Sequence, residues 1–183
     1  LKILVIITHP SMDESRLNAA LKKAISNQSD ITIHELYSEY PDEQIDVKNE
    51  QALMENHDRI IFQFPNYWYS YPSLMKKWFD VVLQKGWAFS GTYKLEGKEL
   101  GLAISSSAYP DDYRFDGQHR HTIEQLMTPF YSTSNIIRTK TLPIFNTFSE
   151  LVDTNEKLEV HARRYLEYLR ASFHFIIKPE IQG

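Results

Sequence analysis

RIIFQFPNYWYSYPSLMKKWFDVV, residues 59–82, contains a strand, a connection and a helix in one run. RIIFQF (59–64) is a short apolar stretch of the kind a strand shows when both its faces are covered. From Pro72 the pattern turns helical through PSLMKKWFDVVLQKG. Pro72 stands at its start and Gly86 just past its end, the asymmetry of a capped helix. Between them lies FPNYWYSYP (64–72), a connection crowded with tyrosine and tryptophan. So much flat ring area between two prolines needs a surface to stack on.

The same strand-then-helix unit recurs outward from this segment. KILVIIT (2–8) is a continuous β-branched and leucine run, followed by the turn residues THPSMDES. In SRLNAALKKAI the apolar Leu17, Ala20, Leu21, Ala24 and Ile25 fall on one helical face. DITIHELY (30–37) predicts a second strand, and Val47–Asn56 a short helix before the strand at 59–64. KELGLAISSS (98–107) predicts a fourth strand, with a helix around His121–Tyr131 after it. IIRTKTLPIFNTF (136–148) predicts a fifth, with Pro143 marking an edge or a strand end. NEKLEVHARRYLEYLRAS is a strongly amphipathic last helix. Strict alternation of this kind predicts an α/β fold, a flavodoxin-like three-layer sandwich. Its five-stranded parallel sheet would run in the order 2-1-3-4-5, with right-handed crossovers and helices on both faces. Residues 1–170 read as one domain, and 171–183 as a C-terminal tail of unclear role.

Composition narrows the function classes. A net charge of −4 without a basic stripe argues against nucleic-acid binding. Cysteine is absent, which removes disulfides, thiolate metal sites and cysteine nucleophiles. No apolar run approaches the ~20 residues of a transmembrane helix. LKILVIIT reads as a strand rather than a secretory leader, so cytoplasmic residence is the expectation. His9, His119 and His121 lack the spacing of a zinc motif, and no metal is expected. Walker-type and dinucleotide-binding glycine motifs are missing, as is a GxSxG nucleophile elbow.

In an open parallel sheet, ligands bind beyond the carboxyl ends of the strands, where the strand order reverses. Three loops meet there: THPSMDESRLN, FPNYWYSYP and SSSAYPDDYRFDGQH. The first, with His9, Ser15, Arg16 and Asn18, leads into a helix N-terminus suited to phosphate; Ser15 as a simple N-cap is the competing account. The second offers planar apolar area for a ring. Core filling or a subunit interface would use Trp68 and Tyr71 equally well. The third carries Tyr113 and His119, a phenol and an imidazole able to donate to charge developing on a bound ring or oxygen.

With these residues placed, the chain resembles the NAD(P)H:quinone oxidoreductase family of flavodoxin-like flavoproteins, the DT-diaphorase group. It is similar above all to the short bacterial members, which include the ancillary subunits of potassium-efflux systems. FPNYWYSYPSLMKKWFDVVLQKGWAF carries the resemblance, fitting the family pattern FP-x-x-W-[YF]-x-x-P-x-x-[LM]K-x-W-[FI]-[DE]-x-V. The opening strand with His9-Pro10 is a second match. The resemblance implies that His9, Ser15, Arg16, Leu17 and Asn18 hold the flavin phosphate and ribityl chain. It implies that Pro65, Asn66, Tyr67, Trp68 and Tyr69 line the isoalloxazine, and that Ser105 and Ser106 replace two flavin-touching threonines. Tyr113 and His119 match the catalytic tyrosine and histidine facing flavin and substrate. The family's TTGG is here SSSA, Ser105 to Ala108. Ser107 and Ala108 thus stand where glycines would let the flavin approach, with crowding or weaker retention as the cost.

Function follows from the resemblance as an expectation. NAD(P)H would pass hydride to the flavin and leave, and a quinone or similar aromatic acceptor would take the hydride in the same slot. FMN fits the compact length better than FAD, with NADH or NADPH as co-substrate. A homodimer is implied. YSEYPDEQID (37–46) resembles a loop of the potassium-efflux subunits, so a regulatory flavoprotein docking on a membrane transporter is the alternative. A one-electron flavodoxin carrier ranks last, since its phosphate loop and very acidic surface are missing.

Overall fold

Strand β1 (Ile3–Ile7) is the centre of the molecule, every residue of it essentially fully buried. A computed structural model describes residues 1–173. Five apolar residues in succession survive such burial because the sheet covers their edges and helices cover both faces. Ile3, Val5 and Ile7 pack on one side with Leu21 and Ile25 of α1 (Arg16–Ile25) and Tyr165 and Leu169 of α7 (Asn155–Arg170). Leu4 and Ile6 pack on the other, against residues of α2 (Leu36–Glu39), α3 (Val47–Glu55), α4 (Ser73–Val82), α5 (Ile123–Leu126) and α6 (Thr128–Ile136). The period of two along one strand thereby divides the core into two layers.

β1 pairs in parallel with β2 (Ile31–Glu35) and with β3 (Arg59–Pro65); β3 pairs with β4 (Glu99–Ser106). The order β2-β1-β3-β4-β5 is the expected 2-1-3-4-5. The fifth position differs from the continuous strand expected over 136–148. It is filled by two short strands, β5 (Lys140–Thr141) against Glu99–Leu100 and β6 (Phe145–Phe148) against Ala103–Ser106. Pro143 lies in the gap, where it has no N–H to give to a ladder. Residues 123–136 likewise form two helices rather than one, with Pro129 in the first turn of α6. The second strand also stops early, and Leu36 and Tyr37 turn into α2.

Of the expected tail, Ala171 and Phe173 dock on Arg59. This guanidinium is 2% exposed and donates to the Leu169 and Ala171 carbonyls at 2.6 and 2.9 Å. The Phe173 ring lies 5.2 Å beneath it, and Glu99 neutralises it. The rest of the tail, 174–183, lies outside the described residues. Among the described residues no helix is long and apolar enough to cross a membrane.

Candidate functional site

The carboxyl ends of β1, β3, β4 and β6 converge, and α1 begins beside them. Ser15 caps α1, its hydroxyl accepting from the Asn18 N–H at 3.2 Å. The first N–H groups of the helix, at Arg16 and Leu17, have no intrahelical carbonyl to bond and face the loop with the positive end of the dipole. Arg16 itself turns elsewhere, its guanidinium donating to the Val152 carbonyl ahead of α7. Leu17 is half-buried.

Asn18 is the polar member of the buried face of α1. Its amide donates to Ser105 Oγ at 2.9 Å, and Gln63 Nε2 donates to its carbonyl groups at 3.1 and 3.2 Å. One helix residue thus ties the ends of β3 and β4 together. Around this knot, Thr8 Oγ1, Gln63 Oε1, Asn66 Oδ1 and Ser106 Oγ are buried without a protein hydrogen bond. Buried polar atoms are rarely left so, and four of them at the strand ends form a rim of acceptors and hydroxyls suited to a polar ligand.

His9 follows β1, half-buried, with Nδ1 accepting from the Ser11 N–H at 3.1 Å. Burial holds its pKa below the ordinary imidazole value, so near neutrality it is uncharged with its proton on Nε2. Its ring meets Tyr67 edge-on at 6.4 Å.

The aromatic connection is a hairpin. Pro65 ends β3, and the Asn66 N–H bonds the Ser105 carbonyl at 2.8 Å. Tyr67 and Ser70 then exchange backbone bonds at 2.9 and 3.0 Å, leaving Trp68 and Tyr69 as the two turn residues. Their φ angles are +47° and +67°. Two positive values in succession define a type I′ turn, which normally recruits asparagine and glycine. Trp68 is 92% exposed at its tip.

The third loop closes the opposite side. Tyr113 is buried, its ring 4.3 Å from His119 and 5.7 Å from Phe148, and its hydroxyl accepts from Asn66 Nδ2 at 3.4 Å. His119 Nδ1 lies 3.2 Å from the Tyr69 hydroxyl. Gly117 makes this possible: a Cβ there would lie 2.3 Å from the Asp111 carbonyl oxygen. Of the four-residue SSSA segment, Ser105 and Ser106 are buried, Ser107 is exposed, and Ala108 adopts φ +73°. A side chain in that region costs about 1–2 kcal/mol. Ala108→Gly is therefore expected to stabilise the protein by about 0.5–1 kcal/mol, allowing for glycine's greater unfolded-state entropy. Denaturant unfolding measures it, as a higher midpoint at unchanged slope.

The residues expected to hold a flavin lie on the loops that follow β1, β3 and β4, but Arg16 turns to the Val152 carbonyl, Ser107 is exposed, and Tyr71 packs into the core against Phe64 and Phe79. Gln63, Thr8 and Phe148 were not singled out. Gln63 carried a signal, one polar residue inside an apolar strand, which burial obliges to find partners. Phe148 carried none. Among the described residues no group of His, Asp and Glu is arranged to hold a metal ion.

A family model for the flavodoxin-like fold matches residues 1–169. YrkL of Bacillus subtilis (strain 168), described as an uncharacterized NAD(P)H oxidoreductase, is 45% identical over 93% of this chain and 99% of its own. The glutathione-regulated potassium-efflux system ancillary protein KefG of Cronobacter sakazakii is 36% identical over 92% of each chain. Among solved structures, general stress protein 14 of Treponema denticola in complex with FMN is 36% identical, with a TM-score of 0.88 over 92% of this chain and 98% of that one. The NADPH-quinone reductase of P. pentosaceus is 32% identical, with a TM-score of 0.87 over 94% and 100%.

Proposed function

This chain belongs to the flavodoxin-like-fold family, and from that premise we propose that it is an FMN-dependent NAD(P)H oxidoreductase whose acceptor is a quinone or similar aromatic molecule. One observation carries the reading. A helix N-terminus, a rim of buried unpartnered polar atoms and a strained aromatic hairpin face one another at the single end of the sheet where such folds bind ligands. FMN presents the matching parts: a phosphate, a polyhydroxylated chain and a flat ring. The FMN complex of the Treponema relative and the quinone-reductase neighbour support the choice of cofactor and acceptor.

The chain's own residues then divide the work. The Arg16 and Leu17 N–H groups at the start of α1 hold the phosphate, with Ser15 shaping the turn. Thr8, Gln63 and Ser106 meet the hydroxylated chain, while Asn18 and Ser105 fix the strand ends that carry them. Pro65, Asn66, Tyr67, Trp68 and Tyr69 bound the ring plane. Ser107 and Ala108 give the loop opposite. His9, neutral, offers an Nε2 proton without adding charge. Bound FMN would supply the redox chemistry, hydride exchange between NAD(P)H and the acceptor. Nicotinamide and acceptor use the slot in turn, so the kinetics are ping-pong. Tyr113 and His119 donate hydrogen bonds to oxygen atoms on which charge develops. Because Trp68 stands clear of its own subunit, a homodimer in which a second copy covers it suits the site.

The test begins with cofactor. FMN titrated into the protein is expected to bind with quenched flavin fluorescence. The complex is expected to reduce a soluble quinone with NADH or NADPH. His119→Ala should lower kcat by about 10²-fold, as loss of a general acid does. A protein that binds neither FMN nor FAD overturns the oxidoreductase reading. A second reading rests on the KefG relative: a flavin-binding subunit that docks on a potassium-efflux transporter. Binding FMN while reducing no quinone with either nucleotide would favour it.

A further inference from the structure

We propose that Tyr69 is a positioning residue for His119: its hydroxyl donates to Nδ1 and thereby fixes the imidazole as the Nε2–H tautomer, leaving a buried, unpartnered donor. The inference rests on the oxidoreductase reading for its purpose, but not for its geometry.

The imidazole has two unlike edges. Nδ1 lies 3.2 Å from the Tyr69 hydroxyl, on a hairpin residue that is 42% exposed. Nε2 is buried and has no protein partner. The Tyr113 ring lies over the imidazole at 4.3 Å, and the Tyr69 ring meets it edge-on at 5.5 Å, so the ring plane is gripped from two elements. The backbone is fixed as well, the His119 N–H bonding the Asp112 carbonyl at 2.9 Å. The nearby charged groups are engaged elsewhere. Asp112 accepts from the Tyr109 N–H at 2.9 Å, and Arg114 pairs with Asp111 and Asp116, each at 3.3 Å. His121 turns its Nδ1 to the His119 carbonyl at 3.3 Å. Tyr69 is thus the group that addresses Nδ1.

Direction follows from acidity. A phenol is a stronger acid than a neutral imidazole N–H, and an imidazole nitrogen is a stronger base than a phenol oxygen. The pair therefore forms as O–H···Nδ1, and the ring proton sits on Nε2. A reduced flavin or quinone presents oxygen acceptors, so a donor is the useful state of the buried edge. Tyr69→Phe keeps the ring and removes only this control. The same hairpin residue that borders the slot also sets the protonation pattern across it.

The experiment reads the tautomer directly. In protein labelled with ¹⁵N-histidine and free of cofactor, long-range ¹H–¹⁵N correlation above the imidazole titration range distinguishes the two nitrogens. The His119 signal is assigned as the one missing from the His119→Ala spectrum. Wild type is expected to show protonated Nε2 and bare Nδ1 with one tautomer dominant. Tyr69→Phe is expected to show both tautomers, and in the FMN-loaded protein a kcat for quinone reduction about tenfold lower. A wild-type signal with the proton on Nδ1 overturns the inference, as does an unchanged tautomer population in Tyr69→Phe. A single Nε2–H tautomer that becomes mixed in Tyr69→Phe, in a protein that reduces no quinone, supports the positioning role and overturns the oxidoreductase reading instead.

Discussion

Replacing Trp68-Tyr69 by Asn-Gly is expected to make the protein more stable and to silence it. Both turn residues hold positive φ, a region that costs an L-residue with a large side chain about 1–2 kcal/mol. Asn-Gly is the pair a type I′ hairpin prefers. Little burial within the subunit is lost at Trp68, which is 92% exposed in the single chain. Tyr69 gives up its contact with His119, so the net gain is about 1–2 kcal/mol. For a chain of this size that is a rise in melting temperature of roughly 2–8 °C. Turnover with NAD(P)H and a quinone should fall by about 10²-fold, since ring contact and His119 control disappear together. Strained aromatic residues at a ligand edge are the pattern expected where stability has been given up for function. Calorimetry and steady-state kinetics on the same variant test both halves. Unchanged turnover would remove the hairpin from the active site, and a lowered melting temperature would mean that the turn is not strained.

The largest loss of stability is expected at Glu50. Its carboxylate is fully buried and accepts from the Tyr40 hydroxyl at 2.6 Å and Trp78 Nε1 at 2.8 Å, with His34 Nε2 at 2.7 Å. It joins α3 to α4, to the end of α2 and to edge strand β2. Burial alone would raise its pKa; the His34 hydrogen bond and charge, then Tyr40 and Trp78, outweigh that and hold it below the ordinary value. Burial and the hydrogen bond to Glu50 push the Tyr40 phenol far upward in turn. Glu50→Ala leaves these partners buried without an acceptor, which typically costs about 3–5 kcal/mol. The melting temperature should drop by roughly 6–20 °C.

The pH dependence has a definite sign. A carboxyl whose folded pKa is depressed contributes stability that is fully present above its unfolded value, about 4.3. That contribution is lost as pH falls through the folded value. The wild type should therefore lose stability below about pH 4.3 more steeply than Glu50→Gln, which has no proton to gain at this position. Parallel acid limbs in urea titrations would show that Glu50 is not held ionised by its partners.

Much of the fold was legible because it rests on local periodicity. Uninterrupted apolar runs at 2–8 and 59–64 required cover on both faces, and their alternation with helical patterns required a parallel sheet. The fifth strand was misread for a local reason as well. Its residues suit a strand on both sides of Pro143, but a proline in the ladder divides it, giving β5 and β6 where one strand was expected. The helix at 121–131 failed similarly, since a pattern continuous in sequence splits into two short helices around Met127.

The candidate site was legible in its residues and illegible in its bonds. Position after β1, β3 and β4 was enough to gather His9, Asn66, Trp68, Ser105, Tyr113 and His119 at one end of the sheet. Nothing local indicated that Asn18 bonds Ser105, that Gln63 bonds Asn18, that Tyr69 addresses His119, or that Glu50 gathers three partners. These pairs are 87, 45, 50 and, for Trp78 with Glu50, 28 residues apart. Hydrogen bonding is short-ranged and directional, so such partners exist only once the chain has closed on itself. The sequence by itself determined the order of strands and helices, and which loops share the carboxyl end of the sheet, because period and chirality act within a few residues. Only the tertiary structure decided which polar atoms pair, which are buried without a partner, and which residues bear positive φ, because these depend on what folding brings within a few ångströms.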